Sequence, residues 1–134
     1  MYKEVYELIR EILKDEALNN YIVEETGKHL AVSDAGAQIT SPSASIYFSG
    51  GNFSRRSNSS AEVNYTVVFM LPYWGADGFV KCLDFVDFVM PIFFDYKTRT
   101  SFVMSVNPSI NEVEAEGSQD WAVELMLTVS SYIL

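Results

Sequence analysis

Cysteine, basic residues and long apolar runs are all scarce in this chain of 134 residues. Its single cysteine, Cys82, cannot form a disulfide within the chain. Nine basic residues against eighteen acidic ones give a net charge of -9, which repels nucleic-acid phosphates and anionic membrane surfaces. No apolar run approaches the roughly 18 residues of a membrane-spanning helix. These shortages disfavour a disulfide scaffold, a nucleic-acid reader and a membrane protein.

Recognisable catalytic and targeting motifs are also missing. The sequence has no nucleophile motif of the Gly-x-Ser-x-Gly type, no metal-ligand cluster and no phosphate-binding loop. We therefore expect a protein that is not an enzyme and that has no catalytic, cofactor-binding or metal-binding residues. The first residues lack the apolar core and cleavage site of a signal peptide, so residence in the cytoplasm is the default expectation.

Apolar and aromatic residues, by contrast, are plentiful. The apolar fraction of 49% and the aromatic fraction of 14% are too high for a disordered chain. The length suits one domain with a substantial core and is too short for two ordinary domains. We expect a single domain over residues 1–134.

Two segments have the periodicity of helices. Apolar residues recur at helical spacing near the N-terminus, opposite a charged face, and predict an amphipathic helix over residues 2–18. An Asn-Asn pair is its expected stop, and residues 21–26 then have the composition of a short strand ended by Gly27. A second helix is predicted over residues 77–90, ended or kinked by Pro91.

Alternating apolar and polar residues predict strands with one buried face. These strands cover residues 44–48, 62–71, 99–106, 110–116 and 121–134, while residues 29–32 form either a brief strand or a loop. Residues 49–61 form a long polar loop or hairpin tip. Because the last connections are too short for parallel crossovers, the expected fold is α+β, with a mostly antiparallel or mixed sheet and two main helices packed on one of its faces.

Two residues have side chains that other proteins use in catalysis. His29 is the only histidine and would be the general base of a hydrolytic site, but no nucleophile motif accompanies it, and a structural or surface role is favoured. Cys82 lies on the apolar side of the second predicted helix, where burial disfavours the reactive thiolate, so a core position is favoured over a nucleophile.

Acidic residues recur at regular spacing in two places. Glu112, Glu114 and Glu116 alternate along one predicted strand, so their carboxylates project from the same face. Such a row binds a hard cation or, more often, forms a solvated face or a contact with a basic partner. The same two alternatives hold for Asp84 and Asp87 on the second predicted helix, where the solvated face is favoured.

A basic pair and two groups of aromatics are candidates for contacts with a partner. Arg55 and Arg56 are adjacent in the polar loop, which is either a solubilising tip or a docking element for an acidic partner. Tyr73-Trp74 and residues 93–96 place five aromatics in or beside turns. These aromatics either fill the core or form a subunit interface.

The order of these elements resembles the tail terminator, or tail completion, proteins of long-tailed bacteriophages and prophages. The features that carry the resemblance are the helix over residues 2–18, the polar loop before the strand 62–71, the helix over residues 77–90, and the closing strand that begins at Trp121. The resemblance implies a protein of virion assembly. Such proteins form a ring, usually a hexamer, that caps the growing tail tube, stops its polymerisation and joins it to the head connector.

The resemblance also implies partners, a location and contact residues. The partners are other copies of the chain, the tail-tube protein and the head-tail connector protein, in the bacterial host cytoplasm during assembly and then in the virion tail. We expect Phe53, Arg55 and Arg56 to contact the tube or a neighbouring subunit, and the row from Glu112 to Glu116 to line an outer or lumen surface. Two alternatives stay open: another small component of the phage neck, tail or injection apparatus, and a small-ligand binding domain.

Overall fold

The computed structural model describes residues 2–34, 41–52, 60–73, 77–115 and 118–132. Its elements, in chain order, are α1 (Tyr2–Ile12), α2 (Glu16–Thr26), β1 (Ala31–Asp34), β2 (Ser43–Asn52), β3 (Ser60–Leu71), α3 (Gly78–Phe94), β4 (Ser101–Ala115) and β5 (Ser118–Tyr132). The strands form one sheet in the order β1-β2-β3-β5-β4, in which only the β1–β2 pairing is parallel. The α+β expectation is confirmed. Within the described ranges, no helix is both long and apolar enough to cross a membrane.

The helix predicted over residues 2–18 is two helices, so this prediction is wrong in its extent. A break follows Ile12, and the side chain of Asp15 caps α2 by accepting a hydrogen bond from the Leu18 N–H at 2.9 Å. The Asn19 side-chain amide donates to the Leu13 carbonyl at 3.0 Å, which satisfies an orphaned acceptor at the end of α1. Apolar residues continue at helical spacing across this break, and periodicity alone therefore missed it.

The strand predicted over residues 21–26 is also wrong, because these residues belong to α2. Leu18 and Ile22 are one helical turn apart and both are fully buried, so packing decides the conformation against the β-propensity of the Tyr-Ile-Val sequence. Gly27 does end the segment, as predicted. It adopts a φ of 76° and its N–H donates to the Val23 carbonyl at 2.8 Å.

The centre of the sheet follows the predicted alternation. The prediction for residues 62–71 is confirmed within β3, which begins two residues earlier. The strand predicted over residues 121–134 is confirmed as far as Tyr132 within β5, which begins at Ser118, and residues 133–134 lie outside the described residues. The side chains of one face of this pair are buried: Val63, Tyr65, Val67, Phe69, Leu71, Val123, Leu125, Leu127 and Val129. On this face the rings of Phe69 and Phe85 meet edge-on at 5.0 Å, so α3 packs against the core side of the sheet.

Two prolines, Pro91 and Pro108, lie inside elements that the sequence pattern predicted to be shorter. The strands predicted over 99–106 and 110–116 are a single strand, β4, with Pro108 opposite Leu125 of β5. Proline is tolerated there because β4 is an edge strand of the sheet. The helix α3 continues past Pro91 to Phe94, rather than ending at residue 90.

The N-terminal strands extend the predicted segments. Of residues 29–32, expected as a strand or a loop, the last two are the beginning of β1, which pairs in parallel with the first four residues of β2. The predicted strand 44–48 is part of the longer β2, so residues 49–52 are strand and not loop. Residues 53–59 of the predicted polar loop lie outside the described residues.

Candidate functional site

The two candidate catalytic side chains lie in unlike surroundings. His29 is exposed, which fits the favoured surface role. Cys82 is fully buried in α3, as predicted, and burial raises the pKa of its thiol to about 11. Among the described residues, no group of three or more His, Cys, Asp or Glu side chains is placed to hold a metal ion.

The predicted partner-contact residues are only partly described. Phe53, Arg55, Arg56 and Glu116 lie outside the described residues. Glu112 is exposed on β4, opposite Trp121 of β5, and Glu114 lies two residues further along the same strand.

The sheet register separates Glu112 of the acidic row from Asn52, the last described residue before the segment 53–59 that contains Arg55 and Arg56. We call residues 53–59 the arginine segment. Glu112 pairs with Trp121, and Trp121 pairs with Leu71 at the C-terminal end of β3. Asn52, after which the arginine segment follows, instead pairs with Glu62 near the beginning of β3. The described strands therefore place Glu112 and the start of that segment at opposite ends of the sheet.

A groove runs between the C-terminal end of α3 and the outer strand β4. It consists of two adjoining cavities of about 720 and 560 Å³, which share Phe94, Asp95 and Met104. We call it the β4-edge groove, and its apolar lining includes Met90, Pro91, Phe94, Phe102, Met104 and Val106. It is open to solvent along its length, which suits a polypeptide segment better than an enclosed small ligand.

The large side chains of this groove are exposed rather than withdrawn into the core. Phe94 is 55% exposed, Met104 46% and Phe102 40%, while Tyr96 at the same end is 36% exposed. Phe93, next to Phe94, is fully buried. In the aromatic turn at residues 93–96, the ring of Phe93 therefore fills the core, whereas the rings of Phe94 and Tyr96 face solvent. Clustered apolar side chains at a surface mark interaction sites.

The outer side of β4 is only partly occupied. Phe102 pairs with Ser130 of β5 on its inner side and forms an antiparallel bridge with Lys97, which must lie on its outer side. From Val103 to Ala115, no strand of the described residues pairs with this outer side. An open strand edge offers a row of backbone donors and acceptors to another chain.

A second exposed strand edge lies on the other side of the sheet. β1 pairs with β2 only as far as Ile46, and the described residues provide no outer partner for β2 beyond it. Phe48, in this uncovered part, is 59% exposed and contacts Tyr2 and Tyr65 edge-on, with ring centroids 5.6 and 5.5 Å apart. The neighbouring Tyr47 is 39% exposed.

The surface residues that sequence reasoning missed are Phe48, Phe102 and Met104. The sequence shows that they are apolar and lie in strands, but their exposure depends on which strands form the edges of the sheet. Alternation within one strand carries no information on strand order. The predicted interface role of the five aromatics at the two turns was the available signal, and of the described ones Phe94 and Tyr96 line the β4-edge groove.

No protein-family model matches this chain, and no curated protein matches it significantly.

Proposed function

We propose that this protein is a virion assembly protein of a phage or prophage, and specifically a tail terminator. Its subunits form a hexameric ring that caps the tail tube, ends its polymerisation and joins it to the head connector. The observation that carries this proposal is the pair of exposed apolar surfaces at opposite edges of one sheet, at Phe48 and along the β4-edge groove. A ring requires two different surfaces on each subunit that bind each other, and these two edges supply them.

The proposal also names partners and a location. The ring binds the tail-tube protein on one side and the head-tail connector protein on the other, in the bacterial host cytoplasm and then in the virion tail. It reads no nucleic-acid sequence, because a chain with a net charge of -9 repels phosphate, and it catalyses no reaction.

Within this proposal, the predicted contact residues keep their roles. Phe53, Arg55 and Arg56 contact the tube or a neighbouring subunit. The row formed by Glu112, Glu114 and Glu116 lines an outer or lumen surface of the ring.

The test is an assay of tail-tube polymerisation, with tube length measured by negative-stain electron microscopy. Adding this protein to polymerising tail-tube protein is expected to shorten the tubes and to leave a ring at one end. The double variant R55A/R56A is expected to lose most of this capping, whereas the control K28A, which removes the exposed cation that follows α2, keeps it. Tubes of unchanged length at a saturating concentration of the wild-type protein would contradict the proposal. Full capping by the double variant would show that Arg55 and Arg56 do not take part in the contact with the tube.

A further inference from the structure

Among the described residues, each edge of the sheet contains one strand segment that has no outer partner strand. On β4 the segment is 103–107, which begins after the bridge between Lys97 and Phe102 and ends before Pro108. On β2 the segment is 47–52, which begins where β1 stops and ends with the strand. The two segments are of similar length. Proline at position 108 removes a donor and limits how far a partner strand can pair.

The register of the sheet places these two segments at the same height. Four residues form one row across the strands, because Asn52 pairs with Glu62, Glu62 with Ser130, and Ser130 with Phe102.

A second row of paired residues shows that the other ends of the two segments are also level. Phe48 pairs with Tyr65, Tyr65 with Leu127, and Leu127 with Val106. A neighbouring subunit placed beside the sheet at the same height therefore brings its β2 segment against the β4 segment of the first.

The strand directions are also compatible. Each of the pairings β2–β3, β3–β5 and β5–β4 is antiparallel, so β4 runs opposite to β2. If two copies stand side by side in the same orientation, β4 of one and β2 of the next form an antiparallel pair. Such a contact needs rotation between subunits but no shift along the axis, which is the condition for a closed ring rather than a filament.

The side chains on the two edges match in position and polarity. Phe48 shares a row with the buried Tyr65 and therefore lies on the face of the sheet that carries the helices. The part of the β4-edge groove that Met90, Pro91, Phe94 and Val106 line opens on this face, because α3 supplies one of its walls. A neighbouring subunit at the same height thus brings its Phe48 over Pro91 and Phe94.

Charge at the edges is complementary as well. Lys97 and Arg99 are exposed beside Phe102, and among the described residues neither forms an ion pair. Glu62 is exposed next to Asn52, in the same row as Phe102, and is likewise not in an ion pair with a described residue. Joining two copies edge to edge brings the basic pair of one towards the carboxylate of the other, which favours this orientation over its reverse.

From these observations we propose that residues 103–107 of one subunit pair antiparallel with residues 47–51 of the next, a second copy of this chain; Asn52 lies level with Phe102, whose outer side Lys97 occupies. The sheet then continues around the ring, and Phe48 of each subunit fills the β4-edge groove of its neighbour. This inference rests on the ring of the proposed function and specifies the contact that closes it.

Thiol cross-linking tests the contact directly, because the native Cys82 is buried and unreactive. Ser105 shares a row with Gly50, because Ser105 pairs with Thr128, Thr128 with Asn64, and Asn64 with Gly50. Ser49 directly precedes Gly50, so the double variant S49C/S105C is treated with a short bis-maleimide, alone and with tail-tube protein. It is expected to give a ladder of covalent oligomers on a denaturing gel. Each single variant, and the control pair K28C/S105C, is expected to remain monomeric.

A surface substitution gives an independent readout. The variants F48E and F94E are expected to raise the protein concentration needed for assembly at least tenfold. The control F79E alters a side chain on α3 that is 47% exposed but lies outside the groove, and it leaves assembly unchanged.

The outcomes separate this inference from the proposed function. Rings that form and cap tubes without a ladder in S49C/S105C overturn the edge pairing and leave the terminator proposal standing. Efficient cross-linking of the S105C single variant into dimers would show that β4 of one subunit lies against β4 of another, which also overturns the proposed pairing of β4 with β2. An absence of both rings and capping in the wild-type protein removes the terminator proposal, and the pairing with it.

Discussion

The hydroxyl of Tyr65 on β3 donates a hydrogen bond to the backbone carbonyl of Tyr2, the first residue of α1, at 2.8 Å. This bond joins residues that are 63 positions apart and holds the beginning of α1 against the sheet beside Phe48. It therefore fixes the aromatic surface that the proposed ring uses.

Replacing Tyr65 with phenylalanine removes this hydrogen bond and keeps the ring that packs on Tyr6 and Phe48. We expect the free energy of unfolding to fall by about 1 kcal/mol, the usual net value of one such bond. Urea denaturation at pH 7 measures it. The control Y47F alters a tyrosine that is 39% exposed and is expected to have no measurable effect. Equal stabilities of Y65F and wild type would show that the bond does not anchor α1.

The cap of α2 gives a second test of the corrected helix boundary. Asp15→Ala removes the carboxylate that accepts from the Leu18 N–H, and we expect a loss of about 1 kcal/mol of unfolding free energy. The control D87A removes an exposed carboxylate from the interior of α3 and is expected to change stability by less than about 0.5 kcal/mol. A continuous helix through residue 18 would instead gain stability from alanine at position 15.

The core beneath the helices should be far more sensitive than the groove. Phe85 is fully buried between the rings of Phe69 and Tyr21, so Phe85→Ala is expected to cost about 3–5 kcal/mol. Phe94 on the same helix is 55% exposed, and Phe94→Ala is expected to cost under about 1 kcal/mol while weakening assembly. Thermal unfolding of the two variants compares them. A large loss of stability in F94A would place this side chain in the core rather than in an interface.

The buried thiol predicts a dependence of stability on alkaline pH. Burial raises the pKa of Cys82 from 9.0 to about 11, so the folded state retains the proton where the unfolded state loses it. The stabilisation that comes from keeping the Cys82 thiol protonated is complete below pH 9 and is lost as the pH rises towards 11. The unfolding free energy of the wild type should therefore fall more steeply over this range than that of Cys82→Ala. Both proteins contain the same tyrosines, so the difference between the two profiles reports on the thiol. Parallel profiles would contradict the shift, as would rapid labelling of the folded protein by a thiol reagent at pH 8.

Sequence patterns located most strands because burial on one face imposes a period of two on the side chains. Val63 and Tyr65 alternate with the polar residues Glu62, Asn64 and Thr66 whatever the rest of the chain does, so the strand at β3 was predicted correctly. The prolines misled the prediction because their effect depends on position. A proline interrupts a central strand but is tolerated in an edge strand. Pro108 lies in the edge strand β4, and the sequence does not reveal which strand is at the edge.

The candidate site was the least predictable part for the same reason. The exposure of Phe48 and Met104 follows from the strand order β1-β2-β3-β5-β4, which depends on contacts between distant segments. The split between α1 and α2 was likewise hidden, since the carboxylate of Asp15 reads as a surface charge until its hydrogen bond to Leu18 is seen.

The mass of the purified protein over a concentration series, alone and with tail-tube protein, tests the account most directly. Light scattering after size exclusion measures it. The account predicts a hexameric ring, or a stable complex with tubes if the ring closes only on its partner. A strict monomer at every concentration that does not bind tubes would contradict the terminator proposal.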